Sequence, residues 1–243
     1  PNGLANSSGL VGKNLMFHPA AFVTGYFDDY LESNHGPVSN SIYSHHFYET
    51  DTNRGFLRGY QLQVAHDSGP LWAVRGGTKG EPIPWGARHH ETFKNNFNRT
   101  LAIAVLTEDL PEERNRVTID PHLADGDGIP APKIDYRVGE NTNKMLDHGI
   151  ARATEALQAA GARDVHSNRV PKLAGWHLMG TARTGLDPNR SVVDGWGRAH
   201  DVPNLFIVDG SVLVTSGAVN VTSTIQAIAL RTAQYIEQNR KDF

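Results

Sequence analysis

The 243-residue sequence predicts an α+β or composite α/β fold, and three observations carry that reading. Thr100-Leu101-Ala102-Ile103-Ala104-Val105-Leu106 is a continuous apolar run of strand length, as in a strand buried on both faces. Within residues 141–160, Leu146, Ile150, Ala153, Leu157 and Ala160 recur at spacings of four, three, four and three, the period of one helix face. Further strand-like and helix-like segments then follow without the strict alternation of βαβ units.

Taken in order, residues 1–19 are loop-like, because Asn6, Ser7, Ser8, Gly9, Gly12, Asn14 and Pro19 punctuate a few apolar positions. Residues 20–90 show short apolar stretches with no helical period, and Pro70, Gly76, Gly77, Gly80, Pro82, Pro84 and Gly86 mark an irregular excursion. After the 100–106 run, residues 117–120 and 133–137 read as short strands, with turn chemistry at Asp125-Gly126-Asp127-Gly128 between them. The 141–160 helix stops at Gly161, where a C′ glycine is expected. Leu205-Phe206-Ile207-Val208 reads as a buried strand ending at Asp209-Gly210. A second helix is predicted from about Thr222 to Asn239, with Ile225, Ala229, Thr232 and Ile236 on its inner stripe.

Composition narrows the function classes. Lys+Arg (23) and Asp+Glu (26) nearly balance, which argues against a basic nucleic-acid-binding surface and against intrinsic disorder. No run approaches the roughly 18 apolar residues of a membrane-spanning helix. Cysteine is absent, which removes thiolate catalysis, disulfides and Cys-ligated metals but does not fix the compartment. Pro1-Asn2-Gly3-Leu4 lacks an initiator Met, a basic n-region and an apolar h-region, so the chain is expected to be entered in its middle.

Two segments carry candidate chemistry. In Gly175-Trp176-His177-Leu178-Met179-Gly180-Thr181-Ala182-Arg183 an imidazole lies between an aromatic and an apolar pair, a setting that suits a general base in a partly dry pocket. The competing reading is a core His bonded to a backbone carbonyl. The second segment is Asp209-Gly210-Ser211 followed by residues 216–224, a small-residue loop feeding a helix. Unpaired N–H groups at that helix start suit an anion or an electron-rich ring atom. Thr222 or Ser223 as plain N-caps explain the same segment. Asn220 also opens an Asn-x-Thr sequon, but a place just before a buried helix disfavours glycosylation.

Other patterns fail. His45-His46 and His89-His90 are adjacent pairs, which on a strand point to opposite faces. Asp125-Gly126-Asp127-Gly128 would need Glu at position 12 of a calcium loop, where Tyr136 stands, so it is a turn. Gly76-Gly77-x-x-Gly80 is not the dinucleotide fingerprint. No metal site is expected, and a metal hydrolase built on the twelve histidines lacks the spacings it needs.

Together, His177-x-x-Gly180-Thr181-x-Arg183-x-Gly185, Ser191-Val192-Val193-Asp194, the 202–211 segment and Gly217-x-x-Asn220-x-x-x-Thr224-Ile225-x-Ala227-x-Ala229 resemble the C-terminal region of the glucose–methanol–choline (GMC) flavoprotein oxidoreductases. Ser8-Gly9-Leu10-Val11-Gly12-Lys13-Asn14-Leu15-Met16-Phe17-His18 is similar to the family's loop before the substrate domain. Residues 115–121 and 128–133 resemble its middle region. The bacterial polyol, sugar and sugar-acid dehydrogenase branch is the nearest in likeness.

The resemblance implies a substrate-binding sheet domain over residues 20–172. It also implies an FAD-domain or lid loop over 1–19 and a C-terminal catalytic segment over 173–243 that returns to the FAD domain. The Rossmann part of that domain has no counterpart in these residues. The implied catalytic pair is His177, as base, and Asn220, in a position that is His in other members. The implied FAD-binding residues are Asp209, Gly210, Asn220, Val221 and Thr222. The implied reaction is oxidation of a CH–OH group in a small-molecule alcohol, polyol, sugar or sugar acid, with hydride passing to flavin N5. The electron acceptor, and the choice between oxidase and dehydrogenase, stay unassigned. The alternative reading is an inactive fragment or a non-enzymatic partner-binding subunit without the FAD nucleotide-binding half. Thr184 stands where the family usually has Met, and only a packing change is expected there.

Overall fold

A computed structural model describes residues 3–35, 40–65, 69–74, 82–170 and 175–241. The Gly76-Gly77-x-x-Gly80 run lies outside them. The elements are α+β with antiparallel sheets. Contacts divide the chain into two compact units. One holds residues 19–108 and 140–174; the other holds 1–18, 109–139 and 175–243. The grouping of 109–139 with the two ends of the chain was not anticipated from sequence.

In the first unit, strands β1 (Ala20–Tyr26), β2 (Asn40–Ser44), β3 (Tyr60–Ala65), β4 (Thr100–Thr107) and β7 (Asp164–Arg169) form one antiparallel sheet in the order β2-β3-β4-β1-β7. Short helices α1 (Pro70–Val74) and α2 (His89–Asn96) lie between β3 and β4 in the chain. The predicted 100–106 run is the central strand β4, paired with β1 from Ala20↔Leu106 to Tyr26↔Thr100 and with β3 on its other side. A central strand covered on both faces has no solvent side, which is why its apolar residues run without alternation.

Helix α3 (Glu140–Ala159) covers this sheet with Thr142, Met145, Leu146, Gly149, Ala153 and Leu157. The buried stripe is turned slightly from the predicted one: Ala160 is exposed and Ile150 half-buried. Gly149 marks the closest approach, because a Cβ there would collide with Val105 Cγ1 and crowd the Tyr60 ring. Helix α3 ends in a Schellman motif, with Gly161 N–H on Gln158 O and Ala162 N–H on Leu157 O, both 3.0 Å, and Gly161 at φ +93°.

The second unit has little regular structure. Strands β5 (Arg116–Ala124) and β6 (Pro130–Asp135) make a hairpin. At its tip Asp125 Oδ1 accepts from the N–H of Asp127 and Ile129, so the Asp-Gly-Asp-Gly run is a turn. Helix α4 (Thr222–Asn239) matches the predicted bounds. The predicted strand at 205–208 does not form. Among the described residues its one bridge is Arg198–Phe206, and Val208 is 36% exposed. An apolar run becomes a strand only where a neighbour offers a ladder of hydrogen-bonding groups.

Isolated bridges hold the rest, notably Met16–Met179 and Thr184–Val193. Two small apolar clusters anchor it. Ala182, Val192, Val193 and Val212 form one; Met16, Met179 and Val221, with Leu213 and Ile225 against them, form the other.

Candidate active site

The second cluster positions the predicted site residues. Met16 and Met179 exchange two backbone hydrogen bonds, at 2.9 and 3.0 Å, and His18 N–H reaches Trp176 O at 3.2 Å. The 14–18 and 176–180 segments are therefore laced side by side. Gly180 is obligatory there: it has φ +92°, and a Cβ would collide with Asn14 O. Val221 buries its side chain on Met16 and Met179, which ties the start of α4 to the same cluster. Gly210 packs against Leu178 O, where a Cβ would come within 2.5 Å.

His177 stands in this frame with φ +60°, a left-handed conformation that costs a non-glycine residue about 1 kcal/mol. Its ring is half-buried. Nδ1 lies 2.6 Å from Nδ1 of His18, with the two rings edge to face at a centroid distance of 4.8 Å. This corrects the simple alternative of a core His on a backbone carbonyl: the partner is a second imidazole. Burial lowers the His177 pKa, so its neutral form, the form a base requires, is favoured.

His18, the last residue of the 8–18 motif, carries no chemical signal of its own in the sequence. It is fully buried, and its Nε2 lies 3.3 Å from Ser216 O. Burial first, and then the charge of His177, hold its pKa down to about 4.

A polar chain continues behind it. The Ser216 hydroxyl accepts from Asp109 N–H at 2.8 Å and donates to Asp109 O at 3.1 Å. Asp109 Oδ2 accepts from the Tyr136 hydroxyl at 2.7 Å and from Phe17 N–H at 3.4 Å. The Tyr136 ring meets Phe17 edge to face at 4.7 Å. Burial and the facing Asp109 carboxylate push the Tyr136 pKa up, so the tyrosine stays a donor. The signal that could have found His18 is its place in the 8–18 motif; Ser216 and Asp109 carried none.

The other predicted residues fall at the α4 start or just before it. Asn220 is exposed, and its carboxamide has no partner among the described residues. Val221 is the N-cap residue and gives no side-chain cap bond, which overturns the reading of Thr222 or Ser223 as caps. Thr222 is exposed as the first residue of the helix. The first backbone bond into the helix is Ile225 N–H to Val221 O, so the preceding N–H groups have no intrahelical partner. Asp209 Oδ1 accepts from Ser211 N–H at 2.8 Å and caps the 3₁₀ turn Gly210–Val212. Its carboxylate shapes the turn and leaves Gly210 buried against Leu178.

The donor set fits a flavin ring edge. It offers unmet backbone N–H groups at a helix start and a free carboxamide at Asn220. A further donor, Asn14 Nδ2, is buried without a partner among the described residues, beside Gly180. A cleft of about 520 Å³ lined by Arg114, Arg116, Tyr136 and Arg137 takes in none of the predicted site residues.

Residues 111–229 match the family model described as GMC oxidoreductase. The chain is 43% identical over its whole length to the 2-methyl-1,2-propanediol dehydrogenase of Mycolicibacterium austroafricanum, covering 44% of that protein. It is 34% identical to the 6'''-hydroxyparomomycin C oxidase of Streptomyces lividus over 97% of this chain and 40% of the relative. The chain thus spans less than half the length of these relatives. Among solved structures, the Aspergillus oryzae formate oxidase superposes with a TM-score of 0.59 at 19% identity, over 96% of this chain and 48% of that one, a likeness of fold.

Proposed function

The chain belongs to the GMC oxidoreductase family, as a C-terminal part, and from that membership we propose that it is the catalytic part of an FAD-dependent oxidoreductase acting on CH–OH groups. The observation that carries the reading is His177: a half-buried imidazole whose neutral form burial favours, on a segment that the Met16–Met179–Val221 cluster ties to the start of α4. The substrate class is an alcohol, polyol, sugar or sugar acid. The names of the similar proteins, a propanediol dehydrogenase and a hydroxyparomomycin oxidase, fit that class.

FAD, when bound, supplies the two-electron acceptor for the hydride leaving the carbinol carbon. Gly210, Asn220, Val221 and Thr222 are the residues that would hold it, the last two through backbone N–H groups. Asp209 acts indirectly, by capping the turn that sets Gly210 in place. His177 takes the hydroxyl proton, so that the C–O bond gains double-bond character as the hydride departs. Asn220 cannot titrate; its carboxamide N–H holds the substrate oxygen and steadies the charge that develops there. A flavin ring edge held at the start of α4 would meet the positive end of the helix dipole.

The test joins the chain to a complete N-terminal FAD-binding half, mixes the flavin-loaded protein anaerobically with short diols and sugars, and follows the loss of oxidised-flavin absorbance. Bleaching that requires His177 supports the reading. A flavin bleached equally fast after His177→Ala overturns it.

A further inference from the structure

The two imidazoles at 2.6 Å share a single hydrogen, because one Nδ1 must donate and the other accept. Which ring owns it follows from the far side of His18. His18 Nε2 faces the Ser216 carbonyl, and a carbonyl oxygen can only accept. His18 Nε2 therefore carries a hydrogen, and a neutral His18 presents a bare lone pair at Nδ1. The shared hydrogen then belongs to His177 Nδ1, and the remaining lone pair of His177 is at Nε2.

We infer that His18 is a positioning residue, fixed by the Ser216 carbonyl, that locks His177 in the Nδ1–H tautomer so that Nε2 is its proton-accepting atom. The inference rests on the reading of His177 as the base. It adds the atom that takes the proton and the residue that selects it.

Burial of His18 keeps the arrangement stable through a turnover. When His177 gains a proton at Nε2 it becomes an imidazolium that still donates from Nδ1. His18, held down to about 4 by its surroundings, does not take that proton in its place. A neutral imidazole here does what a carboxylate does for the histidine of a Ser-His-Asp triad: it orients the ring and selects the tautomer. It does so without placing a negative charge in the site. The Ser216 carbonyl is itself held, because the Ser216 hydroxyl is bonded in both directions to the Asp109 backbone.

The experiment is two-bond 1H–15N correlation on 15N-histidine-labelled, flavin-loaded protein, with His18 and His177 assigned by the resonances lost in His18→Asn and His177→Ala. The expected result is an Nδ1–H tautomer for His177 and an Nε2–H tautomer for His18. In His18→Leu, His177 should revert to the Nε2–H form favoured by free histidine, and flavin reduction by substrate should slow roughly 10–100-fold at saturating substrate with little change in KM. His18→Asn, whose Oδ1 restores an acceptor near the lost Nδ1, should recover part of that loss and keep the Nδ1–H signature. An Nε2–H tautomer for His177 in the unchanged protein overturns the inference, as does a retained Nδ1–H tautomer in His18→Leu. The expected tautomers together with His177-independent alcohol oxidation would leave the ring pair standing and sink the functional reading alone.

Discussion

The two compact units use different physics to hold their backbones. In the sheet unit, β1 and β4 pair over seven residues, and α3 lays a continuous buried stripe across them. Backbone groups are met by ladders, and burial of apolar side chains supplies the stability. In the other unit, outside the β5–β6 hairpin, single bridges and two small clusters replace ladders. There a buried polar chain runs from Tyr136 through Asp109 and Ser216 to His18 and His177. The difference teaches where function resides. Segments that are not regular can aim a side chain from a left-handed residue such as His177.

The sharpest way to break that comparison is His177→Ala. Flavin reduction should fall about 10²–10⁴-fold while circular dichroism and melting stay near the parent's. An unchanged rate would make the irregular unit a mere scaffold.

A paired substitution sharpens it. Leu157→Ala removes a fully buried α3 side chain and should cost about 2–5 kcal/mol of stability. Flavin reduction below the melting transition should be retained. Gly180→Ala should cost about 3 kcal/mol, through a positive φ and a collision with Asn14 O, and flavin reduction should be lost even where the protein stays folded. Equal losses of rate in the two variants would erase the distinction between the units.

Acid stability gives a third test. His18 has a folded pKa near 4 against 6.5 when unfolded, so between those values the unfolded chain binds the extra proton. The stabilisation is full above pH 6.5 and is lost as pH falls toward 4, by about 3 kcal/mol at most. Urea midpoints at pH 7 and pH 5 should therefore diverge more in the parent than in His18→Asn. The smallest expected effect is Ser216→Ala, which strips both bonds from the Asp109 backbone and should cost about 1–2 kcal/mol. It should also slow flavin reduction less than His18→Leu does.

Much of the regular unit was legible in the string. Strand β4 and helices α3 and α4 declared themselves by run length, period and the Gly161 stop. Strand β1 was missed because Thr24 and Gly25 break its apolar run, and β7 because Asp-Val-His-Ser-Asn-Arg is polar for a strand that pairs with β1 alone. The 205–208 segment misled in the opposite sense, since its residues are strand formers with no ladder to join. Of the site, His177 and the α4 start were visible as motifs. Their joining on the Met16–Met179–Val221 cluster was not, because the 14–18, 176–180 and 220–222 segments meet only through contacts between residues distant in the chain.

By itself, the sequence determined the element types wherever a periodic apolar pattern was long enough to dominate, and it determined the family through ordered motifs. Only the tertiary structure decided that the candidate base pairs with His18 rather than with a carbonyl, and that the capping residue of α4 is a valine. Those outcomes depend on distance and hydrogen-bond direction between segments far apart in the chain, and a one-dimensional pattern carries neither.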